Sequence, residues 1–262
     1  MNQTLNIPTM AEMAAQGKSP EILFWVGSAG SYDDRAKRIV RAFAHLLNQA
    51  KVNFAVLGTE ESDTGDPAKR AGNEFLFQMQ AMMNIQVLEA YNIKEIVTTC
   101  PHIFNTLKNE YPALGGNYKV WHHTQYLKKL ISEGKLSVNS DKLNGKRITF
   151  HDPCYLGRGN NIYDAPREVL QELGANLTEM KKSKRRSLCC GAGGAQMFKE
   201  PEKGSKDINV LRTENALEVQ PDIIATACPF CNTMLTDGIK FKEKEGSIEV
   251  LDIAELLYEA TK

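Results

Sequence analysis

The sequence contains no long hydrophobic run. Its longest uninterrupted apolar stretch is Ile22-Leu23-Phe24-Trp25-Val26, far short of the roughly 20 residues that cross a bilayer. Residues 1–20 are polar and lack a stretch of signal-peptide length, so the expected location is the cytoplasm. An excess of either charge is also missing. Lys and Arg number 32 against 32 Asp and Glu, which leaves no general electrostatic footprint for nucleic acid, and no nucleic-acid partner is expected. No G-x-G-x-x-G fingerprint, catalytic triad or motif-placed carboxylate pair occurs, so no catalytic residue is nominated. Cysteine is scarce, with six in 262 residues, and in a cytosolic chain structural disulfides are disfavoured because thiols are kept reduced.

What is present is ordinary globular material. The hydrophobic share is 42% and the charged share 24%, which excludes disordered, collagen-like and coiled-coil chains. The length suits one large domain or two small ones. Apolar spacing predicts strands at 21–27, 53–58, 95–99, 147–151 and 222–227. Helices are predicted over 33–49, 74–91, 124–133 and 164–173, with Ser31 and Asp34 as start signals of the first. Asp164 is read as a cap, and Gly134 and Gly174 as stops. Alternating strands and helices imply parallel sheets with right-handed crossovers.

The two halves resemble each other. Ile96-Val97-Thr98-Thr99-Cys100-Pro101 parallels Ile224-Ala225-Thr226-Ala227-Cys228-Pro229. A shift of 128 sets Cys100 on Cys228 and Ile103 on Cys231; a shift of 126 sets Ser28 on Cys154 and Asp63-Thr64-Gly65 on Cys189-Cys190-Gly191. The expected fold class is therefore α/β, with two pseudo-symmetric Rossmann-like repeats built on parallel sheets. Residues 1–20 form an N-terminal extension, 21–134 the first repeat and 147–262 the second, and the polar segment 134–146 joins the repeats.

The special positions differ between the copies. The second has Cys154, Cys189, Cys190, Cys228 and Cys231, in the order C-x34-CC-x37-C-x2-C. The first has Ser28, Asp63, Thr64, Cys100 and Ile103 there. Isoleucine cannot ligate a metal, serine and threonine hydroxyls are poor ligands for soft iron, and Asp63 is a hard ligand. The second copy is thus expected to carry a metal site, and the first to be empty or at most a degenerate site using Asp63, Cys100 and His102. Five thiolates near one point repel unless a cation neutralises them. Adjacent cysteines suit different irons of a cluster better than one tetrahedral zinc. Gly191, Gly193 and Gly194 let the backbone approach a cluster and aim N–H groups at sulfur, which tunes its potential. A thioredoxin-like thiol pair at Cys228-Pro229-Phe230-Cys231 would leave the other three cysteines unexplained.

Several further residues have competing readings. His151, close before Cys154, is either structural or a hydrogen-bond donor or proton carrier near the site. His45 is structural, and His122-His123 has no assigned role. Lys181-Lys182-Ser183-Lys184-Arg185-Arg186 is either a solvated loop or a docking patch for an acidic partner or anionic lipid. Arg35 and Arg158 lie near the special loops and either balance charge there or serve the surface.

His151-Asp152-Pro153-Cys154-Tyr155-Leu156-Gly157-Arg158, Cys189-Cys190-Gly191-Ala192-Gly193-Gly194 and Cys228-Pro229-Phe230-Cys231 together resemble the CCG cysteine-rich domain. That domain occurs twice in the cysteine-rich subunit of heterodisulfide reductase and in related subunits of succinate and lactate oxidation systems. Thr64-Gly65-Asp66-Pro67-Ala68-Lys69-Arg70, Gly72-Asn73-Glu74, Asn105-Thr106-Leu107-Lys108-Asn109-Glu110-Tyr111-Pro112 and His122-His123-Thr124 are similar to segments in the C-terminal half of iron–sulfur electron-transfer-flavoprotein:menaquinone oxidoreductases. The resemblance covers about residues 20–240.

It implies one [4Fe-4S] cluster, conventional or non-cubane, held by Cys154, Cys189, Cys190, Cys228 and Cys231. The family pattern expects cysteine where this chain has Ser28, Asp63 and Ile103. The implied role is a redox subunit of a multi-subunit oxidoreductase, passing electrons between a flavoprotein donor and a membrane quinone-reducing partner. A separate ferredoxin-like or membrane haem/quinone subunit would complete the path, with this chain peripheral on the inner face of the cytoplasmic membrane. Two other readings stand beside it: a heterodisulfide or thiol–disulfide reductase component with its chemistry at the cluster, and a zinc-stabilised assembly scaffold.

Overall fold

The computed structural model describes residues 5, 7–200 and 203–261. The chain forms two compact units, residues 1–136 and 137–262, each built on a four-stranded parallel sheet. The fold is α/β, as the alternation of apolar runs and amphipathic segments implies.

In the first unit, β1 (Ile22–Trp25), β2 (Phe54–Ala55), β3 (Glu95–Thr98) and β4 (Lys119–His122) lie in the order β2-β1-β3-β4. Strand β1 is buried at every position, which is why it reads as a continuous apolar run rather than an alternating one. Before it, α1 (Met10–Ala15) is closed by a capping box between Thr9 and Glu12. Part of the expected N-terminal extension, residues 1–4 and 6, lies outside the described residues. The rest packs on the first unit: Thr9 bridges Val56, and Met10 and Met13 are buried.

After β1 the chain makes a short helix α2 (Gly27–Tyr32) and then α3 (Asp34–Gln49). The predicted apolar stripe of α3 (Ile39, Val40, Phe43, Leu46 and Leu47) is buried. Its cap is Asp33, which accepts the Ala36 N–H at 2.7 Å, rather than Ser31 or Asp34; Ser31 belongs to α2. The loop after β2 leads through α4 (Asp66–Arg70) to α5 (Glu74–Ala90). Beyond β3 come α6 (Pro101–Asn105), a turn of π-helix over Thr106–Glu110, and finally α7 (His123–Ser132). His122 and His123 are core residues with no exposure, their rings 4.4 Å apart and set against Phe104 and Phe43.

The second unit repeats this plan. Strands β5 (Arg147–Phe150), β6 (Asn176–Leu177), β7 (Ile223–Thr226) and β8 (Glu249–Asp252) lie in the order β6-β5-β7-β8. Its helices are α8 (Asp164–Glu172), α9 (Ile208–Leu217), α10 (Pro229–Phe241) and α11 (Ile253–Ala260). Asp164 sits in the first turn of α8 and does not cap it; the cap position is Tyr163, without a side-chain bond. The edge strands β4 and β8 escaped the sequence reading because each is four residues long, starts on a charged residue and runs directly into a helix.

In each sheet the chain leaves the first strand toward one edge and returns to the other side. The order therefore reverses between β1 and β3 and between β5 and β7. Open parallel sheets bind ligands beyond the carboxyl ends of their strands at such a reversal.

Candidate metal centre

The loop after β5 carries Cys154, the long segment after β6 carries Cys189 and Cys190, and the β7–α10 junction carries Cys228 and Cys231. All three leave the carboxyl edge of the second sheet. Cys228 is the N-cap of α10, Pro229 its first residue, and Cys231 falls in its first turn. Proline is favoured there because its missing N–H would be unpaired in any case. Cys231 lies in the first turn of the helix, near its free N–H groups and positive dipole end.

The cysteines form one cluster. Cys190, Cys228 and Cys231 are buried against each other and Ala192, with Cys189, Met197, Phe230 and Met234 packed around them. The Cys231 thiol donates to Cys190 Sγ at 3.3 Å, and Cys154 is hydrogen-bonded to Cys189. None is in a disulfide. The Gly191 N–H donates to Cys189 Sγ at 3.3 Å, with Gly191 at φ +98°, a conformation open to glycine and costly to other residues. Gly194 is also left-handed at φ +68°, and the Gly193 carbonyl accepts the Gln196 N–H.

Protonation is shared unevenly. Hydrogen bonds from Cys154 and Cys190, aided by the Gly191 N–H, hold the Cys189 thiol far below its ordinary value. Cys154 and Cys190 are pushed up by their bonds to Cys189 and by burial, and Cys231 by its bonds to Cys190 and Cys228 and by burial. Buried sulfurs that hold protons against one another's charge favour a cation among them. A donor set of this kind binds metal with release of the remaining protons, and its soft, buried sulfurs suit iron–sulfur or zinc over hard cations.

His151, at the end of β5, belongs to the same place. A ligand nitrogen of His151 lies within 4.8 Å of the sulfurs of Cys190 and Cys231, which themselves lie within that distance of each other. The imidazole is almost wholly buried, and burial with the adjacent Arg212 charge holds it neutral. Arg212, on α9, has no exposure and donates Nε–H to His151 Nδ1 at 2.9 Å. Arg212 was missed in the sequence, where it is one arginine in an amphipathic helix 61 residues from His151.

The basic run is tied down by its backbone. The Lys184 N–H donates to Asp152 Oδ2 at 2.7 Å, and the Lys182 carbonyl accepts from Arg212. The side chains of Lys181, Lys182, Lys184, Arg185 and Arg186 remain exposed. Arg167 anchors Asp152 through both guanidinium nitrogens, at 2.8 and 3.0 Å, and Arg158 bonds the Ser187 carbonyl. Beside the cysteines, Gly191, Met197, Ile208, Asn209, Met234 and Lys206 contribute to a cavity of about 600 Å³.

The first unit has the same frame with other chemistry. Cys100 caps α6 and Pro101 starts it, as Cys228 and Pro229 do for α10. Asp63, Cys100 and His102 do not assemble into a ligand group: among the described residues the only such group is His151 with Cys190 and Cys231. His102 instead pairs through Nδ1 with Asp66 at 2.9 Å, and Asp66 also binds Arg70. Ile103 is buried and takes up the space above Gly27, where an added Cβ would meet Ile103 Cδ1 at 2.4 Å. Glu61 accepts the N–H groups of Val26 and Gly27 at 2.9 and 2.5 Å.

The chain matches the cysteine-rich domain family (CCG) over residues 22–108 and again over 148–236. It is 50% identical over 252 residues to a probable iron-sulfur-binding oxidoreductase of Bacillus subtilis, covering 96% of this chain and 35% of that protein. It is 47% identical over 250 residues to an EtfAB:quinone oxidoreductase of Syntrophomonas wolfei, covering 93% of this chain and 35% of the relative. Identity is 34% over 251 residues to one subunit of the dihydromethanophenazine:CoB–CoM heterodisulfide reductase of Methanosarcina barkeri, covering 92% of this chain and 59% of the relative. The chain thus spans about a third of the length of the first two relatives. No helix among the described residues is long and apolar enough to cross a membrane.

Proposed function

Since the chain belongs to the CCG cysteine-rich-domain family, we propose that its second unit holds one [4Fe-4S] cluster and passes electrons between a flavoprotein donor and a membrane quinone-reducing partner. The observation that carries this reading is the convergence of Cys154, Cys189, Cys190, Cys228 and Cys231 from three loops at one sheet edge, with Cys190 and Cys231 sulfurs 3.3 Å apart. Bound there, the cluster supplies one-electron transfer. The chain's own residues do the rest. The five cysteines hold the iron, Gly191 donates an N–H to the Cys189 sulfur, and Gly193 and Gly194 turn the loop over it. Met197, Phe230 and Met234 exclude water from it. The exposed basic side chains at 181–186 offer a steering surface for an acidic partner close to the site.

The names of the relatives support the partners: an iron-sulfur-binding oxidoreductase and an EtfAB:quinone oxidoreductase. The ferredoxin-like and haem or quinone parts would come from other segments or subunits, with this part peripheral on the inner face of the cytoplasmic membrane. The first unit, with Ile103 and the Asp66–His102 pair filling its special positions, serves assembly rather than metal binding.

The cavity beside Gly191 and Met234 supports a second reading, in which a thiol or disulfide binds next to the cysteine loops and reacts at the cluster. Iron, zinc and acid-labile sulfide per chain, measured on anaerobically purified protein with EPR, test the assignment. Near four iron and four sulfide with little zinc supports one cluster. About eight iron sinks the one-site assignment, and zinc without sulfide moves the protein to a zinc-stabilised scaffold. An EPR signal that shifts when disulfides are added favours the second reading.

A further inference from the structure

Two buried N–H donors beside the cysteines have no acceptor among the described residues. One is Nε2 of His151 and the other Nη2 of Arg212. An unpaired buried donor costs free energy, and a buried guanidinium without a counter-charge costs more. Arg212 has no exposure at all. Its other nitrogens are used: Nε–H goes to His151 Nδ1, and Nη1 to the Lys182 carbonyl and Asn215 Oδ1, each at 2.8 or 2.9 Å. Among the described residues no carboxylate forms an ion pair with it. Asp152, the carboxylate that acts on it from a distance, is held by Arg167.

The acceptors nearest this pair are the cysteine sulfurs: a ring nitrogen of His151 lies within 4.8 Å of those of Cys190 and Cys231. The bond from Arg212 also decides the imidazole tautomer. Because Nδ1 accepts, the ring hydrogen of the neutral form resides on Nε2. His151 therefore presents a donor, not a lone pair, at its free nitrogen, and a second shell of this kind tunes a metal site.

We infer that Arg212 and His151 form a fixed donor pair for the cysteine site, in which Arg212 supplies the buried positive charge and locks His151 as an Nε2–H donor to sulfur. They are positioning residues, not iron ligands. Adding an electron makes a cluster more negative, so a donor and a positive charge stabilise the reduced form more than the oxidised form and raise the reduction potential. The inference rests on the cluster assignment made above.

The test uses the full chain, loaded anaerobically with iron and sulfide, and reads iron content, circular dichroism and the EPR-monitored potential. His151→Leu and Arg212→Met remove the donor and the charge. Each should keep its iron and lower the one-electron reduction equilibrium about tenfold, which is about 59 mV. His151→Gln, which keeps an N–H, should recover most of the shift, and Arg212→Lys, which keeps the charge, should recover part. These conservative variants carry the test if the severe ones fail to fold: Arg212→Lys keeps the charge but loses the N–H that fixes the His151 tautomer, so its loaded potential should still fall, and an unchanged one overturns the inferred pair. So do unchanged potentials in His151→Leu and Arg212→Met. A folded His151→Leu protein without iron would make His151 a ligand and overturn the donor role. A wild-type chain that takes up no iron defeats the cluster assignment itself, which is a separate failure.

Discussion

Asp63 and Cys189 hold the same place in the two units, and each accepts the N–H of the glycine two residues on. Asp63 Oδ1 takes it from Gly65 at 2.7 Å, and Cys189 Sγ takes it from Gly191 at 3.3 Å. Both glycines are left-handed, at φ +85° and +98°. The turn is thus a feature of the frame, and only the acceptor atom has changed, from soft sulfur to hard oxygen.

Substituting alanine in that turn should separate the two units. Each change forces a Cβ into the left-handed region, at about 1–2 kcal/mol. At Gly191 the new Cβ would lie 3.3 Å from the flexible end of Met234, but at Gly65 it would lie 2.8 Å from the Phe77 ring and 3.2 Å from its backbone. Urea midpoints should therefore fall more for Gly65→Ala than for Gly191→Ala. Equal losses would mean that the turn strain dominates and the neighbours give way.

Cysteine replacement should divide the six sulfurs. Cys189→Ala and Cys228→Ala are expected to abolish iron binding, whereas Cys100→Ala should leave it intact, since no second ligand group forms around Cys100 among the described residues. Iron and sulfide per chain decide this. Equal loss in all three variants would contradict a single site.

Glu61 should make stability depend on pH. Burial raises its carboxyl from 4.5 to about 7, against the opposing bonds from Val26 and Gly27. The native state then binds the proton more tightly than the unfolded state, so stability falls as pH rises from about 4.5 through about 7. Unfolding midpoints at pH 5 and pH 8 should differ less in Glu61→Gln than in the wild type. An unchanged difference would show that Glu61 does not titrate in this window.

Arg167 should be costly to lose. It is 7% exposed at the side chain, and its partner Asp152 is 3% exposed. Removing one member of a buried pair costs about 3–5 kcal/mol, because the other charge stays buried. Arg167→Met should lower the urea midpoint by that order. It should also loosen the basic loop that Asp152 holds at Lys184, seen as faster amide exchange around 182–187. A loss below about 1 kcal/mol would mean that the pair, with Glu179 sharing Arg167, behaves like an exposed ion pair.

Much of this molecule was legible along the chain. Fully buried strands such as Ile22–Trp25 and Ile223–Thr226 are written as apolar runs, and the Cys-Pro junctions after β3 and β7 mark helix starts. The spacing of five cysteines was enough to separate an expected metal-bearing half from one with Ser28, Asp63 and Ile103. The strands and helix starts were readable because they depend on local period and turn chemistry, and the expected division of the halves rests on which atoms can bind iron.

Other features needed the folded chain. The short edge strands Lys119–His122 and Glu249–Asp252 exist because a neighbour offers a ladder, not because four residues specify one. His102 turned out to be the partner of Asp66, 36 residues away, rather than part of a ligand group with Cys100. Arg212 meets His151 across 61 residues, and nothing in an amphipathic helix announces that its arginine will be buried without a carboxylate. Such pairings arise only when crossovers bring distant loops to one sheet edge, where burial gives a single hydrogen bond the power to set a tautomer and a charge.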